Sequence, residues 1–111
     1  MNVNRELLKG SISLLILRLL KKREMYGYEI IQEAHRLSRN TFEFNEGTLY
    51  PALHQLELKG FLKAEWRTAE NGRERKYYSL TARGIKQADQ AHAEWKLFTG
   101  TIDTILASES A

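Results

Sequence analysis

The sequence predicts a mainly α-helical fold with a small β-hairpin wing: a winged helix-turn-helix followed by a long C-terminal dimerisation helix. Two helical patterns precede a third between residues 45 and 60, and two strand-like runs joined by Asn71-Gly72 follow it. The second run is rich in Arg and Lys, and a last apolar stripe extends to about residue 106. This order is typical of winged helices, in which one helix enters a DNA major groove beside a basic hairpin. We predict a DNA-binding domain over residues 1–80 and a dimerisation helix over residues 81–111.

Composition restricts the class of protein. A chain of 111 residues has room for one hydrophobic core, and 42% apolar with 28% charged residues is ordinary for a globular domain. No apolar run approaches the roughly 20 residues that span a membrane, and no signal-peptide pattern is present. The absence of Cys excludes a disulfide scaffold and agrees with the reducing cytoplasm, where we expect the protein to act. A net charge of +3 is only mildly basic, so the distribution of charge is more informative.

The first two helices are predicted from apolar spacing. Residues 5–22 place one apolar face on a helix, made of Leu8, Ile12, Leu15, Ile16 and Leu19 and widened by Leu7 and Leu20. A second helix begins near Gly27 and ends at Ser38-Arg39-Asn40. Its expected buried side is Ile30, Ile31, Ala34 and Leu37. Phe42 and Phe44 alternate with polar residues, which allows a short extended segment.

The third helix carries signals at both ends. Asn45 is a suitable N-cap, and Gly60 can adopt the left-handed conformation that ends a helix. Leu49, Leu53 and Leu56 should point inward. Pro51 leaves two starting points open, because proline is tolerated only in the first turn of an undistorted helix. The helix begins either near Thr48 or, as we favour, at Glu46 with a slight bend.

The hairpin has two possible registers. A two-residue turn at Asn71-Gly72 would put the apolar residues of the two strands on opposite faces. A three-residue loop, residues 70–72 with Gly72 left-handed, pairs Leu62 with Leu80 and Ala64 with Tyr78. We favour the three-residue loop.

The last helix is predicted to run from about Ala82 to Leu106, with Thr81 as its N-cap. Apolar residues recur at alternating steps of three and four, which is the spacing of a helix packed against another helix. They are Ala88, Ala91, Trp95, Phe98, Ile102 and Ile105. The rest of this small domain should not be able to cover so long an apolar stripe, so the sequence predicts a homodimer.

Two groups of side chains are candidates for contact with double-stranded DNA. On the wing, Arg67, Arg73, Arg75 and Lys76 can meet phosphates, with Glu70 and Glu74 as counter-charges. The alternative is an ordinary solvated hairpin. The leading face of the third helix is polar but not basic and is suited to base edges. It carries Glu46, Thr48, Tyr50, His54 and Gln55.

Structural roles for some of these residues remain open. Tyr50 can instead pack in the core, and Glu46 can simply complement the dipole of its helix. Tyr26 and Tyr28 flank Gly27 at the start of the second helix, where a helix-turn-helix faces the DNA backbone. We expect Tyr28 to be a DNA contact and one of the two tyrosines to belong to the core.

The last helix also offers a candidate effector site. Trp95 and Phe98 lie on the predicted dimer contact, with His92 and the small residues Ala88 and Ala91 beside them. Two symmetry-related Trp95 rings can frame a slot for a planar aromatic molecule. Plain hydrophobic packing is the alternative.

No pattern in the chain indicates catalysis. The three histidines, His35, His54 and His92, show no metal-ligand spacing, and neither a Cys nucleophile nor a Gly-rich phosphate loop is present. We therefore expect no catalytic residues, metal or cofactor. A protein–protein module built on the same fold, without DNA binding, is the competing hypothesis. A small enzyme in a dimeric helical pore would need an acid–base pair that the sequence does not offer.

Three motifs together resemble the PadR family of bacterial transcriptional regulators. They are Y-G-Y-E-I at 26–30, E-G-T-L-Y-P-A-L-H-Q-L-E-L-K-G at 46–60, and G-R-E-R-K-Y-Y-S-L-T-A-R-G at 72–84. The resemblance extends over about residues 6–106. It implies a winged-helix homodimer that represses at palindromic operators, and the single C-terminal helix resembles the short subfamily. It further implies that Tyr50, Arg75 and Lys76 lie at or near DNA, and that Trp95 lies where some members line an effector cavity.

Overall fold

A computed structural model describes residues 4–108, and the fold class agrees with the prediction. The described chain contains four helices and three short strands. In order, they are α1 (Arg5–Lys22), β1 (Met25–Tyr26), α2 (Gly27–Leu37), α3 (Glu46–Leu58), β2 (Leu62–Thr68), β3 (Glu74–Leu80) and α4 (Ala82–Ala107). None of these helices is long and apolar enough to cross a bilayer.

Helix α1 lies at the centre of the molecule, in contact with the other three helices and with β3. It is therefore buried on more than the single predicted face: Leu17, which the helical spacing did not select, is almost fully buried beside Ile16. At the start of the helix, where neighbours cover less of it, Leu7 is exposed. The prediction that Leu7 widens the buried face was wrong for this reason.

Helix α2 buries Ile30 and Ala34 but not its last residue. Leu37 is 46% exposed, so the prediction of a buried Leu37 was wrong. The helix ends at Leu37, and the chain then turns through Arg39 and Asn40 in the left-handed region, with φ values of 51° and 63°. Nearly half of Leu37 therefore stays open to solvent where the chain turns away.

Helix α3 begins at Glu46, which confirms the earlier of the two predicted starts. The Asn45 side chain accepts a hydrogen bond from the backbone N–H of Thr48 at 2.9 Å, as an N-cap should. Pro51 therefore lies inside the helix, where its side chain is exposed. The helix ends before Gly60, whose φ of 81° is the left-handed stop expected from the sequence.

The sheet has the order β1-β3-β2 and is antiparallel throughout. Leu62 pairs with Leu80 and Ala64 with Tyr78, and Gly72 has a φ of 82°, so the favoured three-residue loop is confirmed. Strand β1 was not predicted. It has only two residues, and Met25 is fully buried opposite Tyr78. A pair so short leaves no alternating pattern in the sequence.

The N-terminal part of helix α4 packs against the rest of the molecule, and the rest of the helix projects from it. Thr81 joins it to the body: its hydroxyl accepts from the N–H of Gly84 at 3.0 Å and donates to the carbonyl of Gly60 at 2.7 Å. Ala88 is 0% exposed within the single chain and belongs to its core. The prediction that Ala88 forms part of an uncovered stripe was therefore wrong. The stripe begins further along and consists of Ala91, Trp95, Phe98, Ile102 and Ile105, which we call the α4 stripe.

The joint between α4 and the hairpin yields a prediction about stability. A Cβ on Gly84 would lie 2.0 Å from the backbone carbonyl oxygen of Phe61, and a backbone atom cannot move aside as a side chain can. We expect Gly84→Ala to lower the free energy of unfolding by about 3 kcal/mol, measured by urea denaturation at fixed protein concentration.

Gly100→Ala is the matched control. Nothing lies within 4 Å of the corresponding Cβ, on the side of α4 away from the α4 stripe. It should raise stability by about 0.5–1 kcal/mol, as an alanine normally does inside a helix. Equal effects of the two substitutions would contradict a close joint at Gly84.

Candidate nucleic-acid interface

An open cleft of about 390 Å³ lies between the N-terminus of α2, helix α3 and the wing. Its walls come from five elements, β1, α2, α3, β2 and β3. They are lined by Tyr26, Gly27, Tyr50, Trp66, Glu74, Arg75, Lys76 and Tyr78. Three residues predicted to contact DNA, Tyr50, Arg75 and Lys76, therefore share one surface.

Tyr50 packs α3, the candidate recognition helix, against the start of α2. Its side chain is 45% exposed and its phenol lies against Gly27: a Cβ at that glycine would be 2.4 Å from the Tyr50 hydroxyl oxygen. The alternative of a core Tyr50 is therefore wrong, because nearly half of the residue is open to solvent. The missing side chain of Gly27 allows the two helices to approach closely.

Arg75 is held against the sheet by aromatic rings. Its guanidinium carbon lies 4.3 Å from the centroid of the Tyr26 ring, within the range of a cation–π contact. Tyr26 in turn packs edge-on against Tyr77, with ring centroids 5.4 Å apart. Tyr26 is thus the packed member of the tyrosine pair, whereas Tyr28 is exposed.

Arg67 differs from Arg75 because carboxylates compensate its charge. It donates to Glu24 with N–O distances of 2.5 and 2.9 Å, and to Glu65 at 3.0 Å. The hydrogen bond from Arg67 lowers the pKa of the Glu24 carboxyl below its ordinary value. Arg67 also lies 4.9 Å from the centroid of the Tyr77 ring. These contacts tie β2 to the segment after α1 and leave less of its charge for a phosphate.

Lys76 and Trp66 face each other across the hairpin, on the side that faces the helices. The Lys76 ammonium lies 3.4 Å from a carboxylate oxygen of Glu57 on α3. Trp66 is 65% exposed, although it shares a strand face with the buried Leu62. The hairpin extends past the helices at this point. The sequence pattern did not indicate that Trp66 lines the candidate interface, because strand alternation alone predicts an inward side chain.

The other predicted DNA contacts lie outside the cleft. His54 is exposed on the outward side of α3, and Arg73 is exposed in the loop of the wing. Thr48 lies on the opposite flank of α3, towards α1, and its hydroxyl donates to Asn45 at 3.1 Å. The structure therefore divides the polar residues of α3 between two flanks.

A second candidate surface lies where α4 leaves the body. A shallow groove of about 510 Å³ runs between α1 and α4, and its α4 wall contains Ala91, Trp95 and Phe98. Trp95 is 38% exposed, and its ring centroid is 6.0 Å from that of Phe98. His92 is half-buried nearby, and Ala88 is not part of the wall. The single chain thus offers an open apolar surface, not an enclosed cavity.

Most of the chain matches one known protein family. A model of the PadR-like family of transcriptional regulators matches residues 16–90. The chain belongs to the PadR-like family of transcriptional regulators. The resemblance drawn from the three sequence motifs is confirmed.

Relatives of this PadR-like regulator extend along most of its length. It is 33% identical over 104 residues to an uncharacterized protein of Lysinibacillus sphaericus, covering 94% of this chain and 95% of that protein. It is 39% identical over 80 residues to a transcriptional regulator of Mycobacterium tuberculosis, covering 72% of this chain and 71% of the relative.

Solved structures of PadR-like and related regulators share the fold. A transcriptional regulator from Clostridium thermocellum superimposes with a TM-score of 0.82 at 31% identity, covering 92% of this chain and 96% of the other. A PadR-like transcription factor from Bacteroides fragilis gives 0.74 at 35% identity, covering 91% and 95%. Within residues 4–108 of the present regulator, no group of three or more His, Asp or Glu side chains is placed to hold a metal.

The contact between Tyr50 and Gly27 can be tested in this PadR-like chain. We expect Gly27→Ala to push the Tyr50 ring outward and to lower the free energy of unfolding by about 1 kcal/mol, since a side chain can move where a backbone cannot. In a Tyr50→Ala background the same substitution should cost little, which gives a coupling energy of about 1 kcal/mol in a double-mutant cycle. Independent, additive effects would show that the two residues do not position each other.

Proposed function

We propose that this PadR-like regulator is a repressor that binds a palindromic DNA operator as a homodimer in the cytoplasm. The observation that carries the proposal is the cleft in which Tyr50 of α3 lies beside Arg75 and Lys76 of β3. A polar helix and a cationic strand on one surface match the two parts of a duplex, base edges in a groove and phosphates beside it.

Charge distribution supports a division of roles within the wing. Arg73 and Arg75 form no salt bridge within the described residues, whereas Arg67 and Lys76 each have a carboxylate partner. We propose that Arg73 and Arg75 provide most of the attraction to phosphates. Arg67 and Lys76 make smaller contributions and hold the wing in position. The exposed Tyr28 is a further phosphate contact at the N-terminus of α2.

Base discrimination is assigned to α3. His54 and Tyr50 are exposed on it, and the helix contains no Lys or Arg. A helix without these cations adds little to non-specific affinity, so its contacts favour one sequence over another. Thr48 is included as a reader of the same helix, although its hydroxyl first serves the N-cap.

The two roles predict different effects of alanine substitutions on DNA binding, and one type of experiment measures both. Arg75→Ala should weaken binding to all duplexes alike and reduce the slope of log affinity against log salt by about one unit, because one phosphate contact is lost. His54→Ala should cost on the order of 1–3 kcal/mol on the operator and little on random DNA. Fluorescence anisotropy at several salt concentrations measures both.

Lys96→Ala is the control for charge, since it removes one cation from α4 far from the wing. It should leave the salt slope almost unchanged. If no duplex binds with salt-dependent affinity, the fold serves as a protein–protein module. If Arg75→Ala alters sequence preference instead of the slope, Arg75 reads bases.

The α4 stripe supports the homodimer. Trp95, Phe98, Ile102 and Ile105 are all exposed in the single chain, at the spacing of a helix packed on another helix. A second copy of α4 is the simplest partner that could cover this stripe. Two-fold pairing of the two helices would then place one wing at each of two operator half-sites.

Charge placed within the α4 stripe should separate the subunits. We expect Ile102→Glu to give monomers in analytical ultracentrifugation, because two glutamates would lie buried near the two-fold axis. Lys96→Glu, on the opposite side of the same helix, should remain dimeric. A dimer that survives Ile102→Glu unchanged would assign the contact to another surface. A point substitution is a cleaner test than truncation of α4 after Gln87, because truncation would also remove Ala88 from the core.

The same dimer surface is proposed as an effector site. In the dimer, Ala91, His92, Trp95 and Phe98 from each subunit would face each other, and a planar aromatic molecule would stack between two indole rings. Binding would change the angle between the wings and so the fit to the operator. Ala88, predicted from the sequence as part of this site, is covered by its own chain and is left out of it.

Fluorescence tests the effector proposal. In a Trp66→Phe host, where Trp95 is the only indole, planar aromatic compounds should quench emission with micromolar affinity, about −8 kcal/mol, at one ligand per dimer. Two results together would show that Trp95 serves only in hydrophobic packing. They are the absence of quenching by a set of planar dyes and drugs, and a closed helix contact at Trp95 in the dimer.

A further inference from the structure

A separate pocket lies on the other side of α1 from the α4 groove. Four residues of α1, a stretch of α2 and the turn before α3 enclose about 260 Å³. We call this the α1–α2 pocket. It is lined by Leu15, Arg18, Leu19, Lys22, Ala34, Leu37, Ser38 and Phe42. None of these residues lines the α4 groove or the cleft beside the wing.

The interior of this pocket is apolar and partly open. Leu19 and Ala34 are buried at its base, whereas Leu37 remains 46% exposed at the end of α2. Phe42 is half-buried and forms the wall next to the turn. An apolar ligand that covers Leu37 and Phe42 would gain free energy in proportion to the area removed from water.

The rim of the pocket carries a positive charge. Lys22 forms no salt bridge within residues 4–108. Arg18 is 3.7 Å from Asp89, a carboxylate that Lys21 also binds. Glu33 is near enough to Lys22 for their charges to interact, but its carboxylate is hydrogen-bonded to Arg36 at 2.5 Å. Asp89 and Glu33 thus each have a closer cationic partner, which leaves much of the Lys22 charge and part of the Arg18 charge for an anion.

We propose that the α1–α2 pocket binds an amphipathic anion, a carboxylate on an alkyl tail, with the tail against Leu37 and Phe42. The carboxylate lies at the rim, beside Lys22 and Arg18. An alkyl chain fits the aliphatic walls, and the two cations select an anionic head group over a neutral or cationic one.

The pocket is connected to the start of α3 by a strained turn. Arg39 and Asn40 both adopt positive φ, which costs free energy in residues with a side chain. Ser38 and Phe42, on either side of this turn, line the pocket, and the Ser38 hydroxyl accepts from the Phe42 N–H at 3.1 Å. A ligand that moves Phe42 therefore acts on the turn that leads into Asn45 and α3.

Titration of the full-length protein with decanoate, below its micelle-forming concentration, tests the proposal. Calorimetry should give saturable binding tighter than about 1 mM, and octanoate should bind about tenfold more weakly because two methylenes are lost. Lys22→Gln should weaken decanoate binding about fivefold, the upper range for an exposed ion pair, whereas Lys96→Gln should not. Decyltrimethylammonium, with a tail of similar length and a cationic head, should not compete. Backbone amide signals of Ser38, Thr41 and Phe42 should shift on binding.

Three results would overturn the proposal. The first is the absence of saturable decanoate binding. The second is binding that is unchanged in Lys22→Gln and Leu37→Ser but lost in Trp95→Leu, which would place the ligand in the dimer contact. The third is a monomeric Leu37→Ser variant in ultracentrifugation, which would make the pocket a subunit interface. None of these results bears on DNA binding, so the operator proposal stands or fails separately.

Discussion

The pairing of β3 with the two-residue strand β1 connects the wing to the helical body, and the candidate interface depends on it. Met25 and Tyr78 lie opposite each other, and both are buried beneath the helices. On the other face of the same pairing, Tyr26 meets Tyr77 and supports the Arg75 guanidinium. Together with the contact between Lys76 and Glu57 of α3, this short pairing sets the position of the wing's cations relative to α3.

The modest net charge of the chain is consistent with a candidate interface in which carboxylates compensate some of the cations and not others. Glu24 and Glu65 compensate Arg67, and Glu57 lies beside Lys76, whereas Arg73 has no such partner in the described chain. A count of basic residues in the wing treats all four as equal. Their surroundings separate cations that are paired within the hairpin and its neighbours from those whose charge is left for the proposed phosphate contacts, because a paired cation has a weaker field to offer.

Helix α4 combines two environments in one continuous element. Its base is held by Thr81 and by the close approach of Gly84 to Phe61, and Ala88 completes the core of the single chain. Beyond that point the helix leaves the body and exposes the α4 stripe. Since the base is closely joined to the hairpin, a change in the packing of two α4 stripes would be transmitted to the wings in the proposed dimer. Subunit association and wing spacing are therefore mechanically linked in the proposed dimer.

The sequence by itself determined the features that depend on neighbouring residues. The Asn45 cap, the start of α3 at Glu46 despite Pro51, the stop at Gly60 and the hairpin register through Gly72 were all predicted from local rules of capping and turn geometry. The family motifs then identified the fold. Only the tertiary structure decided which apolar side chains are covered: Leu37 and Trp66 are exposed and Ala88 is buried, against the patterns of their elements. Helical and strand periodicity specifies a face, but where a neighbouring element ends decides how much of that face is removed from water.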